Sequence, residues 1–278
     1  MTVNTSGVSA RNKADLTRSL NLEPRPLYYH PARLLLIWSP KCACTQIVLW
    51  YFKHCGLLEA ADFYDPWPHR YRTQVLYKSQ TYKHWIKAAP PRQVTAIQIG
   101  RHPARRVLSS YRHVLKWGLV DKAMSKTLRT KINHREGFSF ETFMRFLERT
   151  DLSQGCDPHI RRQAHLATEV VPPRRVLLEK EDLYGTLNQL EREFGLTHTD
   201  FSAYPAFARV ENKRRVTLND SGNWQPSDVL SRHNAWSDWP VSPDGLNDDM
   251  LARIYDVYEP DFRLFDLERP RAKEQLLQ

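Results

Sequence analysis

Three groups of residues in this chain have the types and spacing to do chemistry on an anion. The first is Lys41, set in the run Ser39-Pro40-Lys41-Cys42-Ala43-Cys44-Thr45 with Gln46 after it. Small side chains there let backbone N–H groups turn inward at a helix N-terminus, where the dipole is positive and Lys41 adds a full charge. Such a loop suits an anionic group, most simply a phosphate. The second group is Arg101 with Ser109, a forked guanidinium and a neutral hydroxyl, which together suit a phosphate monoester. The third is a pair of histidines, His84 and His159, whose ordinary pKa of about 6.5 lets them accept a proton near neutral pH. Each group also has a plain structural reading: a βα turn with a solvated lysine, an arginine capping a turn with a serine as filler, and two ordinary histidines among the 11 in the chain.

The elements that must position these residues follow from apolar patterning. Leu34 to Trp38 is a continuous apolar run that reads as a buried parallel strand. Ser39 and Pro40 end it, Thr45 can cap or open a helix, and that helix runs through Trp50 to His54 and stops at Gly56. Val94 to Ile99 is β-branched and apolar and reads as a second buried strand. It ends in Gly100-Arg101-His102-Pro103, where Pro103 suits a first helical turn, and Val107, Leu108, Tyr111 and Leu115 form the stripe of a helix that closes at Trp117-Gly118. Ser109 then lies about two turns along that helix, beside its buried face.

Elsewhere the chain reads less sharply. Residues 1–25 are expected to form a flexible arm, residues 26–270 a single domain and residues 271–278 a tail. Residues 57–80, with Phe63, Tyr64, Pro66, Trp67, Pro68 and Tyr71, read as an irregular segment whose aromatics fill core more readily than they stack on sugars. Lys122 to Lys131 reads as an exposed basic insert. Phe138, Phe140, Phe143, Phe146 and Leu147 recur at helical spacing and read as core. Arg175 to Leu178 is a short strand, followed by a helix through Phe194 that ends at Gly195, with Asp182 placed to stabilise its first turn. Leu246 to Tyr258 is amphipathic and helical.

The loop at Lys41 is not a Walker A sequence, because GxxxxGK[ST] occurs nowhere. It resembles the 5′-phosphosulfate loop of sulfotransferases that use 3′-phosphoadenosine 5′-phosphosulfate (PAPS), written PKxxxT in carbohydrate-modifying members. Gly100 to Tyr111 is similar to the 3′-phosphate motif RxPxxRxxSxY of that family, with Arg101, Pro103, Arg106, Ser109 and Tyr111 in register and His102 where an acidic or amide residue is usual. Asp157 to Gln163 resembles the DPHxxPQ segment of the chondroitin 4-O-sulfotransferase branch, with Arg162 replacing the second proline. Asp261-Phe262-Arg263-Leu264-Phe265 resembles the family's DFxLF ending, so the likeness covers roughly residues 32–267.

The resemblance implies an α/β chain with the P-loop-like sulfotransferase fold, a mostly parallel central sheet flanked by helices. It implies transfer of a sulfuryl group from PAPS to a hydroxyl, leaving adenosine 3′,5′-bisphosphate. By motif position Lys41 serves the leaving group, Cys42 to Gln46 the 5′-phosphosulfate, and Arg101 with Ser109 the 3′-phosphate. A basic loop of the family closes over the nucleotide near the C-terminus, which makes one of Lys213, Arg214 and Arg215 a candidate for the 3′-phosphate or an acidic acceptor; a solvated face is the plain alternative. Heparan sulfate 2-O-sulfotransferases place a catalytic histidine before the second strand, which points to His84 as base and leaves His159 to orient the acceptor. No metal is required by this arrangement.

Composition bounds the partners. Lys and Arg number 41 against 31 Asp and Glu, a formal charge of +10, which favours anionic partners such as nucleotides and acidic glycans. No RNA-binding aromatic signature or zinc-finger spacing accompanies it, so nucleic acid is not an expected partner. Four cysteines, Cys42, Cys44, Cys55 and Cys156, are too few for a disulfide framework and read as thiols in a reducing compartment. With no apolar run near 18 residues and no signal-like start, a cytoplasmic protein without an integral membrane segment is the expectation. Two rivals stay open: a nucleotide kinase, which should need a Walker A loop and magnesium, and a non-catalytic basic glycan-binding protein. A carbohydrate, a glycolipid and a small metabolite all fit the acceptor's place.

Overall fold

The computed structural model describes residues 15–153, 155–178, 183–215, 224–233 and 246–269. The chain first forms β1 (Leu27–Tyr29), β2 (Leu34–Trp38) and α1 (Cys44–His54). Three further helices, α2 (Leu58–Tyr64), α3 (Pro68–Gln74) and α4 (Gln80–Ala88), lead to β3 (Thr95–Gly100). Next come α5 (Pro103–Trp117), α6 (Asp121–Leu128), β4 (Phe138–Ser139) and α7 (Phe140–Glu148). The remainder supplies α8 (Ala167–Val170), β5 (Arg174–Leu177), α9 (Leu183–Phe194), α10 (Pro205–Arg215), β6 (Val229–Leu230) and α11 (Asp248–Leu264). These elements sort into two compact units, Met1–Gly100 with His165–Val210 and Arg101–Ala164 with Glu211–Gln278.

The first unit is built on a four-stranded sheet of order β1-β2-β3-β5, in which β1 is antiparallel to β2 and the other pairs are parallel. All five residues of β2 are buried, as a strand bonded on both edges and covered on both faces requires. Leu36 is opposite Ile97, and Ile97 opposite Arg174. At the sheet's edge β5 opens with two exposed arginines, charges that discourage pairing with another chain. Ile47 to Phe52 of α1 and Leu187 and Leu190 of α9 complete this core. The mostly parallel sheet with flanking helices is the architecture expected from the sequence.

The second unit has its own core. Tyr111, Phe140, Phe143, Phe146, Ile254 and Phe262 are buried together, and each ring contributes about 1.5–3 kcal/mol by leaving water. Its small antiparallel pair sets Phe138 opposite Leu230. The helical spacing of the phenylalanines thus marks core, as read from the sequence.

Several expectations need correction. Of the stretch read as an arm, Leu16 and Leu20 are buried, because residues four apart on one helical turn face the same side. Residues 57–80 are helical rather than irregular: Pro68 stands at the first position of α3, where its missing N–H costs nothing. Phe63, Tyr64 and Trp67 do not fill core; they are 96%, 50% and 58% exposed. The basic stretch after Lys122 is held by α6, whose Met124 is fully buried. Arg209 to Arg215 is the end of α10 and not a loop, since no Gly or Pro interrupts it after Pro205. The helix that starts at Asp248 runs beyond Tyr258, where it kinks two residues ahead of Pro260. Glu179 to Asp182 lie outside the described residues. Among the described residues no helix is long and apolar enough to cross a membrane.

Candidate anion-binding sites

In the first unit, β2 delivers the chain into a tight turn in which Cys42 N–H donates to Ser39 C=O at 3.2 Å. Lys41 and Ala43 both take left-handed backbone angles, with φ of 71° and 52°. For residues with a Cβ such angles are uncommon and cost about 1–3 kcal/mol each, strain of the kind that collects at ligand sites. Ala43 is also the N-cap of α1, and its side chain makes no capping bond. The first bond of the helix ladder is Ile47 N–H to Ala43 C=O at 3.1 Å. Cys44, Thr45 and Gln46 therefore present their N–H groups at the helix start without acceptors inside the helix. Thr45, expected as a possible cap, is the second residue of the helix and half-buried.

The structure adds a neighbour that the sequence did not suggest. His69 of α3 is buried, and its Nε2 lies 3.4 Å from Thr45 Oγ1. The His69 ring is 6.0 Å from Trp38 and 5.5 Å from exposed Trp67. Nothing in a lone histidine between two prolines and a tyrosine signals that role; only the packing of α3 reveals it. His84, by contrast, is exposed on α4, between the buried Tyr82 and Ile86, and makes no hydrogen bond or ion pair with the described residues.

In the second unit, the motif residues divide by burial. Arg106 and Tyr111 are buried; Tyr111 donates to Phe138 C=O at 2.5 Å, so it pins core. Arg101 and Ser109 are half-buried, and the Ser109 hydroxyl makes no hydrogen bond with the described residues. The Arg101 backbone is clasped from both sides by one side chain. Its N–H donates to Gln163 Oε1 at 2.9 Å, and Gln163 Nε2 donates to Arg101 C=O at 2.9 Å. Gln163 N–H in turn donates to Asp261 Oδ1 at 2.7 Å. Gln163 and Asp261, noted in the sequence without a role, thus fix the backbone that carries Arg101. Burial pushes the Asp261 carboxyl up to about 6 even though the Arg106 charge pulls it down.

His102 caps α5 where an acid or amide is usual: its Nδ1 accepts from Ala104 N–H at 3.3 Å. An imidazole can do this only when neutral, and burial, with the charges of Arg105 and Arg101, depresses its pKa to about 4. Arg162 is also accommodated, because its N–H donates to Leu152 C=O at 3.0 Å, a bond that a proline would forfeit.

His159 is oriented by a carboxylate. Its Nδ1 lies 2.8 Å from Asp157 Oδ1, which also accepts from His159 N–H at 2.8 Å. Burial raises the Asp157 pKa, but these hydrogen bonds outweigh it and hold the carboxyl below its usual range. With Nδ1 bonded to a carboxylate, Nε2 is the nitrogen able to take a proton. Lys213, Arg214 and Arg215 lie on α10, and their side chains are outside the described residues.

Arrangements of this kind, a helix start with a lysine in one unit and, in the other, a half-buried arginine followed about two helical turns later by a hydroxyl with no hydrogen bond to the described residues, can bind phosphate or sulfate groups. No curated protein and no solved structure matches the chain. A family model described as Sulfotransferase family does match, over residues 33–268, which takes in β2, the Lys41 loop, Arg101, Ser109 and all of α11. The chain belongs to the sulfotransferase family.

Proposed function

We propose that this sulfotransferase moves a sulfuryl group from PAPS to a hydroxyl of a carbohydrate. The observation that carries the reading is the start of α1, where the N–H groups of Cys44, Thr45 and Gln46 have no helical acceptors and Lys41 stands in the strained turn before them. A group with several anionic oxygens fits that concentration of donors. In the reaction the acceptor oxygen forms a bond to sulfur while the bond from sulfur to the bridging phosphate oxygen breaks. Lys41 stabilises the charge that develops on the departing phosphate, and the loop N–H groups hold its remaining oxygens. Arg101 and Ser109 select the 3′-phosphate. Exposed Trp67, its ring next to that of His69, supports a sugar acceptor, since an indole face suits stacking on a pyranose.

The acceptor proton goes to a histidine. The sequence favours His84, whereas the geometry supports His159 better, because Asp157 fixes its tautomer and stabilises the imidazolium that forms. Labelled PAPS incubated with a panel of glycans tests the activity. With an acceptor in hand, His159→Ala is expected to lower kcat at least about a hundredfold with nearly unchanged affinity for adenosine 3′,5′-bisphosphate. Loss of turnover in His84→Ala, with His159→Ala near normal, would return the role to His84.

A further inference from the structure

Arg72 is the most unusual charge in the first unit. It is 7% exposed, and neither its Nε nor its Nη1, both sealed from solvent, has a hydrogen-bond partner among the described residues. Its guanidinium stacks on Trp38, 4.5 Å from the ring centroid, and lies 5.5 Å from the centroid of Tyr77. Stacking satisfies the faces of a guanidinium and leaves its N–H edges unmet. The carboxylate of Glu23, felt electrostatically at Tyr77, is already paired with Arg25 at 3.1 Å. A buried cation whose N–H groups lack acceptors is costly, and an anionic ligand that met them would offset that cost.

The location of Arg72 says which ligand. Trp38 is the last residue of β2, directly before Ser39 and the Lys41 turn. His69, three residues before Arg72 and so on the same side of α3, meets both Trp38 and Thr45. Thr45, His69, Trp38 and Arg72 form one continuous cluster along the anion-binding loop.

We infer that Arg72 is a further ligand-binding residue, whose N–H edge takes two oxygens of an oxyanion presented at the Lys41 loop. The inference rests on the sulfuryl-transfer reading. The oxyanion belongs either to the phosphosulfate end of the donor or to an acidic group on the acceptor; a forked donor suits both.

Inorganic sulfate is the probe, followed by thermal shift at constant ionic strength with chloride as control. Wild type is expected to gain Tm with sulfate at low concentration. Arg72→Met, which replaces the charge with an apolar chain of similar length, is expected to melt no lower than wild type without ligand and to bind sulfate at least about tenfold more weakly. Arg72→Lys keeps the charge but loses the fork, and is expected to bind sulfate at least about fivefold more weakly should the methionine variant not fold. Repeating the titration with saturating PAPS, which unlike the bisphosphate also fills the sulfuryl position, separates the sources. An Arg72-dependent sulfate response that persists assigns the residue to an acceptor group, whereas weakened PAPS binding in the variant assigns it to the donor. No sulfate response in wild type, or an equal response in wild type and both variants, overturns the inference. Failure of wild type to bind PAPS would instead count against it as donor and leave the sulfate comparison to judge Arg72.

Discussion

His102 Nδ1 can accept from Ala104 N–H only while it carries no proton, so the start of α5 is linked to pH. The sign follows from where the proton binds. With a folded pKa of about 4 and an ordinary value of 6.5, the unfolded chain holds more protons between those limits. The contribution of His102 is fully present above about pH 6.5 and is lost as pH falls toward 4. Asp261 acts oppositely, because its carboxyl is raised from 3.8 to about 6, and its contribution is lost as pH rises through that window. Asparagine caps a helix well at any pH, so His102→Asn should keep the cap and remove one of the two opposing effects. The expected outcome is a Tm advantage of His102→Asn over wild type that widens between pH 7 and pH 5. Parallel Tm curves for the two proteins would show that His102 is not held neutral. The substitution of His102 for the usual acid was visible in the sequence; its capping role was not, since it depends on an imidazole rotamer and on burial.

At the scale of elements, the helix that carries Ser109 depends on how it ends. Gly118 closes α5 with φ of 64°, and a Cβ added there would lie 2.4 Å from His134 Nδ1. That imidazole is held by Asp121 Oδ2 at 2.6 Å, so it has a bond to lose in moving away. Gly118→Ala should therefore cost about 1–3 kcal/mol, part from the left-handed angle and part from displacing His134. Urea unfolding checks this, with a lower midpoint and an unchanged slope expected. The two strand-loop-helix units around Lys41 and Arg101 were legible because their signals are local: an apolar run, a break of small residues or Pro, then a helical stripe. α2 and α3 were not, because Pro66 and Pro68 read as breaks although Pro68 starts a helix. The Gln163 clasp on Arg101 joins residues 62 positions apart, and His69 and Arg72 owe their significance to packing against Trp38. Spacing within one element cannot disclose either.

For the whole molecule, the relevant quantities are its charge and its response to ligand. A formal +10 raises the local concentration of anions, but it does so for any nucleotide, and it cannot by itself distinguish a bisphosphate from a monophosphate. On the proposed reading, that distinction belongs to Arg101 and Ser109. A ligand that binds only the native state stabilises it by RT ln(1 + [L]/Kd), about 2.7 kcal/mol at a hundredfold excess over Kd. At about 2 °C per kcal/mol for a chain of this size, adenosine 3′,5′-bisphosphate should raise Tm by roughly 5 °C, in EDTA as well as in magnesium. Adenosine 5′-phosphate at the same concentration should do less, because it lacks the 3′-phosphate. Arg101→Ala should weaken the bisphosphate by about 1.5–3 kcal/mol, the worth of a charge-assisted hydrogen bond, and leave the smaller effect of the monophosphate in place. The pattern separates a selective 3′-phosphate contact from general attraction to a basic surface. Equal stabilisation by the two nucleotides, or equal loss of both in Arg101→Ala, would remove the 3′-phosphate from Arg101 and count against PAPS as the donor.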